Sequence, residues 1–173
     1  QQGLTPLIKR RPMQHLRGKF TIPSDVRQGE ELSGRLTALL NGRLETHTLN
    51  TLRLGLREIL INAIEHGNLE ISFEEKTTET DKDDYLAFLV ERQQQPAYAG
   101  RSVTVEYHIA PRRAAFRISD EGRGFDHRKY NSLTAKGDTE LAHGRGIRMT
   151  LRVFDRVRYN TRGNRVTLLK KIS

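Results

Sequence analysis

The chain contains no cysteine. That excludes a disulfide scaffold, a thiolate metal site and a cysteine nucleophile. It has no run of about 18 apolar residues, so no segment reads as a membrane-spanning helix, and no signal peptide is visible. Aromatic residues are scarce, at 6%. No internal repeat interrupts the 173 residues, a length that suits one domain with a proper core. These absences agree with a compact cytoplasmic domain. The chain opens on Gln, and Gln1 to Gly18 is polar and basic with two prolines. Residues 1–18 are therefore read as a linker cut from a longer protein, and 19–173 as the folded domain.

Positive charge is abundant, and it is uneven. The net charge is +9. Arg145 to Ser173 holds nine Lys/Arg against Asp155 alone, whereas Asn68 to Gln93 holds eight Asp/Glu against three Lys/Arg. A pI near 10.2 raises nucleic acid as a partner. Few aromatics, no recognition helix and no RNA-binding motif speak against it, as does the alternation of the basic residues along strands. Acidic proteins and small phosphate-bearing ligands are the simpler partners for such a surface.

Periodicity supplies the elements. His15 to Ile22 alternates as an edge strand. A first helix starts at Ser24 or Asp25 as N-cap and runs to about Leu40, ended by Asn41-Gly42. A second starts at Thr48 or Asn50 and closes on Gly67 as C-cap. Asn68 to Phe73 reads as a short strand, and acidic Glu74 to Asp84 as a mobile segment. Asp84 to Gln94 reads as a helix with Tyr85, Phe88 and Leu89 on one stripe. Ser102 to Ile109 and Arg113 to Ser119 alternate around an Ala110-Pro111-Arg112 turn. Ile147 to Val153 reads as a helix. Val157 to Thr161 and Arg165 to Ile172 form a hairpin around Arg162-Gly163-Asn164. Helices grouped early and antiparallel strands later predict an α+β sandwich, with helices on one face of a mixed, mostly antiparallel sheet.

Three short motifs sit on these elements. In the second helix Leu52, Leu56, Ile59 and Ala63 form the apolar face. Thr51, Gly55, Glu58, Asn62, Glu65 and His66 fall on another arc at about 100° per residue. Glu58 and Asn62 are one turn apart, a carboxylate for proton handling beside an oxygen suited to Mg²⁺. Asp120-Glu-Gly122-Arg-Gly124 follows the strand ending at Ser119. Its carboxylate can accept from an exocyclic amine, and its glycines let a ligand approach backbone. His143-Gly144-Arg145-Gly146-Ile147 opens the later helix, where backbone N–H groups suit phosphate. Each motif alone is common as a solvated helix face, a glycine turn or a glycine-bearing loop.

As a set, Glu58-Ile-Leu-Ile-Asn62-Ala-Ile-Glu-His66-Gly67-Asn68, Asp120-Glu-Gly-Arg-Gly-Phe-Asp126 and His143-Gly-Arg-Gly-Ile147 closely resemble the ATP-binding motifs of the GHKL superfamily, which includes gyrase, a heat-shock chaperone and histidine kinases. More narrowly they resemble the bacterial serine-protein kinase and anti-sigma-factor branch. Asp155-Arg-Val-Arg-Tyr-Asn160 and Gly163-Asn-Arg-Val-Thr-Leu168 also fit it. The resemblance spans roughly Phe20 to Lys171. It implies the GHKL α+β fold, ATP and Mg²⁺ as cofactors, and a parent protein with a receiver or phosphatase domain ahead of this one.

By that resemblance Asn62 ligates Mg²⁺, Glu58 is the general base, and Asp120 receives the adenine amine with Thr167 nearby through water. Gly122, Gly124, Gly144 and Gly146 shape the pocket and hinge an ATP lid over His127 to His143. Arg145 meets phosphate, and His66 either contacts the nucleotide or braces the helix end. The implied activity is phosphoryl transfer from ATP to a serine or threonine of a STAS-type anti-sigma antagonist, in partner switching with a sigma or anti-sigma factor. The alternative is a non-catalytic anti-sigma or partner-binding module that uses ATP for conformational control. No phosphoacceptor histidine box of the sensor-kinase type is present. A homodimer is compatible with the sequence, and a membrane partner is not expected.

Overall fold

A computed structural model of the protein describes residues 15–82, 84–125, 150 and 152–172. Five strands form one sheet: β1 (Leu16–Pro23), β2 (Ser102–Ala110), β3 (Arg113–Ser119), β4 (Arg156–Tyr159) and β5 (Arg165–Lys171). Their order is β1-β2-β3-β5-β4. Every described pairing is antiparallel, in line with the mixed, mostly antiparallel sheet expected. Strict alternation builds it. Val103, Val105, Ala114, Phe116, Ile118, Val166 and Leu168 are buried on one face, and the residues between them point to the other.

The helices α1 (Val26–Ala38) and α2 (Thr46–Asn62) supply much of the other half of the core. Asp25 caps α1, its carboxylate accepting from the Arg27 N–H at 2.9 Å. Leu32, Leu36 and Leu40 recur every fourth residue and are fully buried or nearly so. Leu52, Leu56, Ile59 and Leu60 form the matching stripe on α2. Truncating any one of these leucines to Ala is expected to cost about 2–5 kcal/mol. α2 begins earlier than Thr48, with Glu45 at the N-cap and no side-chain cap bond.

Between residues 63 and 84 the structure departs from the sequence reading. Gly67 does not end the helix. α2 instead widens into a π-helical turn, Ala63–Asn68, in which the Leu69 N–H reaches back to the Ile64 carbonyl at 2.9 Å. The left-handed residue that follows is Glu70, at φ 50°. No strand forms at Asn68 to Phe73. The acidic stretch is ordered as α3 (Phe73–Asp81), opened by a capping box in which Ser72 and Glu75 exchange hydrogen bonds at 3.1 and 2.8 Å. α4 (Tyr85–Gln94) follows as expected, with Leu89 buried and Tyr85 and Phe88 half-buried.

α3 is held from below. Lys76 Nζ donates to the buried Glu65 carboxylate at 2.5 Å, and the Arg92 guanidinium bridges Glu75 and the Leu69 carbonyl. These contacts join residues 11 to 23 positions apart. Local periodicity therefore does not reveal them.

Candidate functional site

The helix-facing side of the sheet meets the π turn at Asp120. β3 ends at Ser119, in register with Arg165. Asp120 is pinned to the next residue of the partner strand's turn. Its N–H donates to the Asn164 carbonyl at 3.0 Å, and the Asn164 amide donates to the Asp120 carbonyl at 3.2 Å. The Asp120 Oδ1 atom accepts the Gly122 N–H at 2.9 Å. Burial pushes the Asp120 carboxyl up to about 6, against the lowering pull of that N–H and of Arg162 and Arg101. The group is thus ionised at neutral pH and close to protonation.

Glycines bring backbones together here. A Cβ on Gly67 would lie 2.5 Å from Asp120 Cγ. One on Gly122 would collide with the Gly67 carbonyl oxygen, and one on Gly124 with the Arg162 carbonyl oxygen. Gly124 and Gly163 both sit at φ 81°. So Gly122 and Gly124 admit the chain's own backbone, where the sequence pattern predicts approach by a ligand. The Arg162 side chain fastens the turn further, donating to the Arg123 and Gly122 carbonyls at 3.3 and 3.1 Å.

Asn68 ties three elements to this turn. It is fully buried. Its Oδ1 accepts the Glu121 N–H at 2.8 Å, its Nδ2 donates to Ser24 Oγ at 3.0 Å, and its carbonyl accepts from Arg101 at 2.7 Å. Spacing in the sequence gives Asn68 and Asn164 no part in the site. Both are positioning residues for Asp120, and only their long-range partners reveal it.

Glu58 and Asn62 stand one turn apart on α2, both half-buried. Arg57 lies 3.5 Å from the Glu58 carboxylate and donates from Nε to Glu30 of α1 at 2.8 Å. The Asn62 carboxamide makes no hydrogen bond among the described residues. It is an amide oxygen available to a cation. Among the described residues no cluster of three His, Asp or Glu could hold a metal ion. Mg²⁺ needs no such cluster, because it takes one or two protein oxygens together with phosphate and water. The residues present fit Mg²⁺ of that kind. Gly55, one turn before Glu58, packs on Val153 and Phe154.

The expected arc fails beyond Asn62. Glu65 turns inward, is 3% exposed and pairs with Lys76. The π turn advances less than 100° per residue, so positions extrapolated from the α-helix rotate off the arc. Glu65 also raises the Tyr85 phenol, after burial as the larger cause. His66 braces the turn: its Nδ1 donates to the Ile71 carbonyl at 2.6 Å, and its ring packs on Phe73 at 4.3 Å.

Thr167 is not brought to Asp120. It stands in register with Arg117 and Arg158, both exposed, between buried Val166 and Leu168. Side chains alternate along a strand, so Thr167 faces away from the helices while Asp120 lies against the π turn. Gly144, Arg145, Gly146 and the lid His127 to His143 lie outside the described residues.

A family model described as histidine kinase-like ATPase domain matches residues 22–170. Comparison with curated proteins gives no match.

Proposed function

Because the chain belongs to the histidine kinase-like ATPase domain family of the GHKL superfamily, we propose that it is an ATP-dependent protein serine/threonine kinase of a bacterial partner-switching system, acting on a STAS-type antagonist. What supports the reading is the line running from Asp120 through Gly67 to Asn62 and Glu58. A buried carboxylate acceptor stands at one end. The Asn62 amide and the Glu58 carboxylate stand roughly 7 and 13 Å further along the helix, at about 1.5 Å of rise per residue. A nucleotide laid on that line has its base at Asp120 and its triphosphate at Asn62.

In this mechanism Asp120 accepts a hydrogen bond from the adenine amine, and Asn68 and Asn164 hold the turn that aims it. Asn62 would hold Mg²⁺ through its amide oxygen, and the bound cation would neutralise charge on the phosphates. Glu58 takes the proton from the acceptor hydroxyl as that hydroxyl's oxygen bonds to the γ-phosphorus and the bond from the γ-phosphorus to the β–γ bridging oxygen breaks, releasing ADP. Arg57 keeps the Glu58 side chain oriented. Positioning and charge stabilisation supply most of such a phosphoryl transfer.

The test is to incubate the protein with Mg-ATP and candidate STAS proteins and weigh the intact partners. Gain of one phosphoryl group on a serine or threonine is expected. A partner that binds in an ATP-dependent way and gains no mass would make this a sequestering module instead.

A further inference from the structure

The face of the sheet away from the helices carries no assigned role. Its composition follows from the register. One row across the strands reads Arg158, Thr167, Arg117, Glu106, Lys19, and the next reads Arg156, Leu169, Ala115, His108, Arg17. Arg113 pairs with Lys171 beyond the second row, and Arg165 flanks the first through Ser119. All eight Lys/Arg side chains are exposed. Glu106 is the single carboxylate among these outward strand positions, and it is engaged with Arg117 at 3.4 Å. Alternation along the strands, which at first sight disperses the basic residues, is what collects them on one surface.

We propose that this outer sheet face binds the phosphate backbone of double-stranded nucleic acid without sequence preference. The choice of partner follows from the side chains present and absent. Six of the eight cations are arginines, whose planar forks match phosphate oxygens. They repeat about 7 Å apart along a strand and sit on strands about 5 Å apart, a grid of charge around a small apolar pair, Leu169 and Ala115. Protein interfaces concentrate large aromatic and apolar anchors at their core, and no Phe, Tyr or Trp points outward from these strands; the ring of His108 is stacked on His15. The same lack removes the stacking platform that single strands use and the apolar wedge that a membrane surface site inserts. A second copy presenting the same face would meet like charge. What remains is electrostatic contact with a regular polyanion, where phosphates give affinity and no base is read.

The proposal stands independently of the ATP site, which lies on the opposite face. Fluorescence anisotropy of the whole chain with labelled 20-base-pair duplexes of two unrelated sequences, without nucleotide and across a salt series, tests it. Equal affinity for both is expected, with log Kd against log salt sloping by about 4–6, since each phosphate contact contributes about 0.9. Arg156→Gln with Arg158→Gln should lower the slope by about 2 and weaken binding at least tenfold, with Mg-ATP affinity and circular dichroism unchanged. Glu106→Gln should tighten binding a few-fold. No duplex binding at 50 mM salt, tighter binding to single strands, binding only to anionic lipid vesicles, or an unaltered double variant would each overturn the proposal.

Discussion

At the Asp120 end of the candidate site, backbone meets backbone: Gly122 on Gly67, Gly124 on Arg162, Gly163 on Phe125, with Asn68 and Asn164 filling the remaining donors and acceptors. At the Glu58 end, two side chains stand on a regular helix surface, with Arg57 touching one of them. The first end is specified by tertiary contact and the second by helical spacing. Substitutions at the two ends should therefore fail differently, in stability at the turn and in chemistry on the helix.

The largest effect is expected at the helix. Glu58→Gln keeps the shape and removes the proton acceptor, which typically costs about 10²–10⁴-fold in rate. Mg-ATP binding by calorimetry should stay at the parental value while phosphotransfer to a partner collapses. Parental turnover in a folded Glu58→Gln protein would show that the carboxylate only positions. At the turn, Gly122→Ala drives a methyl group into the Gly67 carbonyl. Neither backbone can yield without opening the turn, so a loss of about 3 kcal/mol or more is expected, read by denaturant unfolding. A near-neutral Gly122→Ala would mean that the turn is soft and the two ends are alike.

Asn68→Ala comes next. It strands the Glu121 N–H and removes the amide donor to Ser24, all in a buried setting. A stability loss of about 2–3 kcal/mol is expected, together with weaker nucleotide binding because the Asp120 turn loses its tether. Loss of binding with no change in unfolding would instead place Asn68 in contact with the ligand.

Asp120 opposes its own fold. Its carboxyl rises from 3.8 to about 6 through burial. A carboxyl raised in the folded state favours folding fully below 3.8, and that contribution disappears as pH rises through 6. At pH 7 the ionised group thus costs about 2 kcal/mol, after allowing for its partial contact with water. Asp120→Asn keeps an oxygen for the Gly122 N–H and removes the charge. It should stabilise the apo protein at pH 7 by about that much, with the gain vanishing towards pH 4. It should also weaken ATP about tenfold, as a hydrogen bond to a charged acceptor is worth roughly 1.5–3 kcal/mol. Parallel losses of stability and affinity would assign Asp120 a purely structural role.

Much of this architecture could be read from the sequence wherever one local period rules. The alternation of Arg113 to Ser119 and the four-residue stripe of Leu32, Leu36 and Leu40 have that property. Reading failed where the period changes or distant residues decide. Extrapolating 100° per residue through the π turn put Glu65 on the open arc, when it lies under Lys76. The Ser72 and Glu75 capping box was present in the sequence, but apolar Ile71 and Phe73 around Ser72 mimic a strand. At the candidate site, Glu58, Asn62 and Asp120 were singled out from residue type and spacing. Thr167 was misplaced because its strand parity depends on which neighbours are buried. Asn164, three positions earlier, bonds Asp120 and carries no local mark of doing so.

Gly55→Ala should have the smallest effect, and it sharpens the contrast best. Gly55 lies in the regular part of α2 and needs no left-handed backbone. A Cβ there would sit 3.2 Å from a Phe154 ring carbon and 3.4 Å from Val153 Cγ1, side chains that can shift by a few tenths of an ångström. Alanine also gains about 1 kcal/mol of helix propensity over glycine. The two terms nearly cancel, so the unfolding free energy should move by less than about 1 kcal/mol, and Tm by no more than about 4 °C for a chain of this size. A glycine in the same site thus tolerates a methyl group on the helix and rejects one at the turn. If Gly55→Ala instead abolished Mg-ATP binding in a folded protein, helical spacing alone would not describe the Glu58 end. The close packing of Gly55 on Val153 and Phe154 would then be part of what the ligand needs.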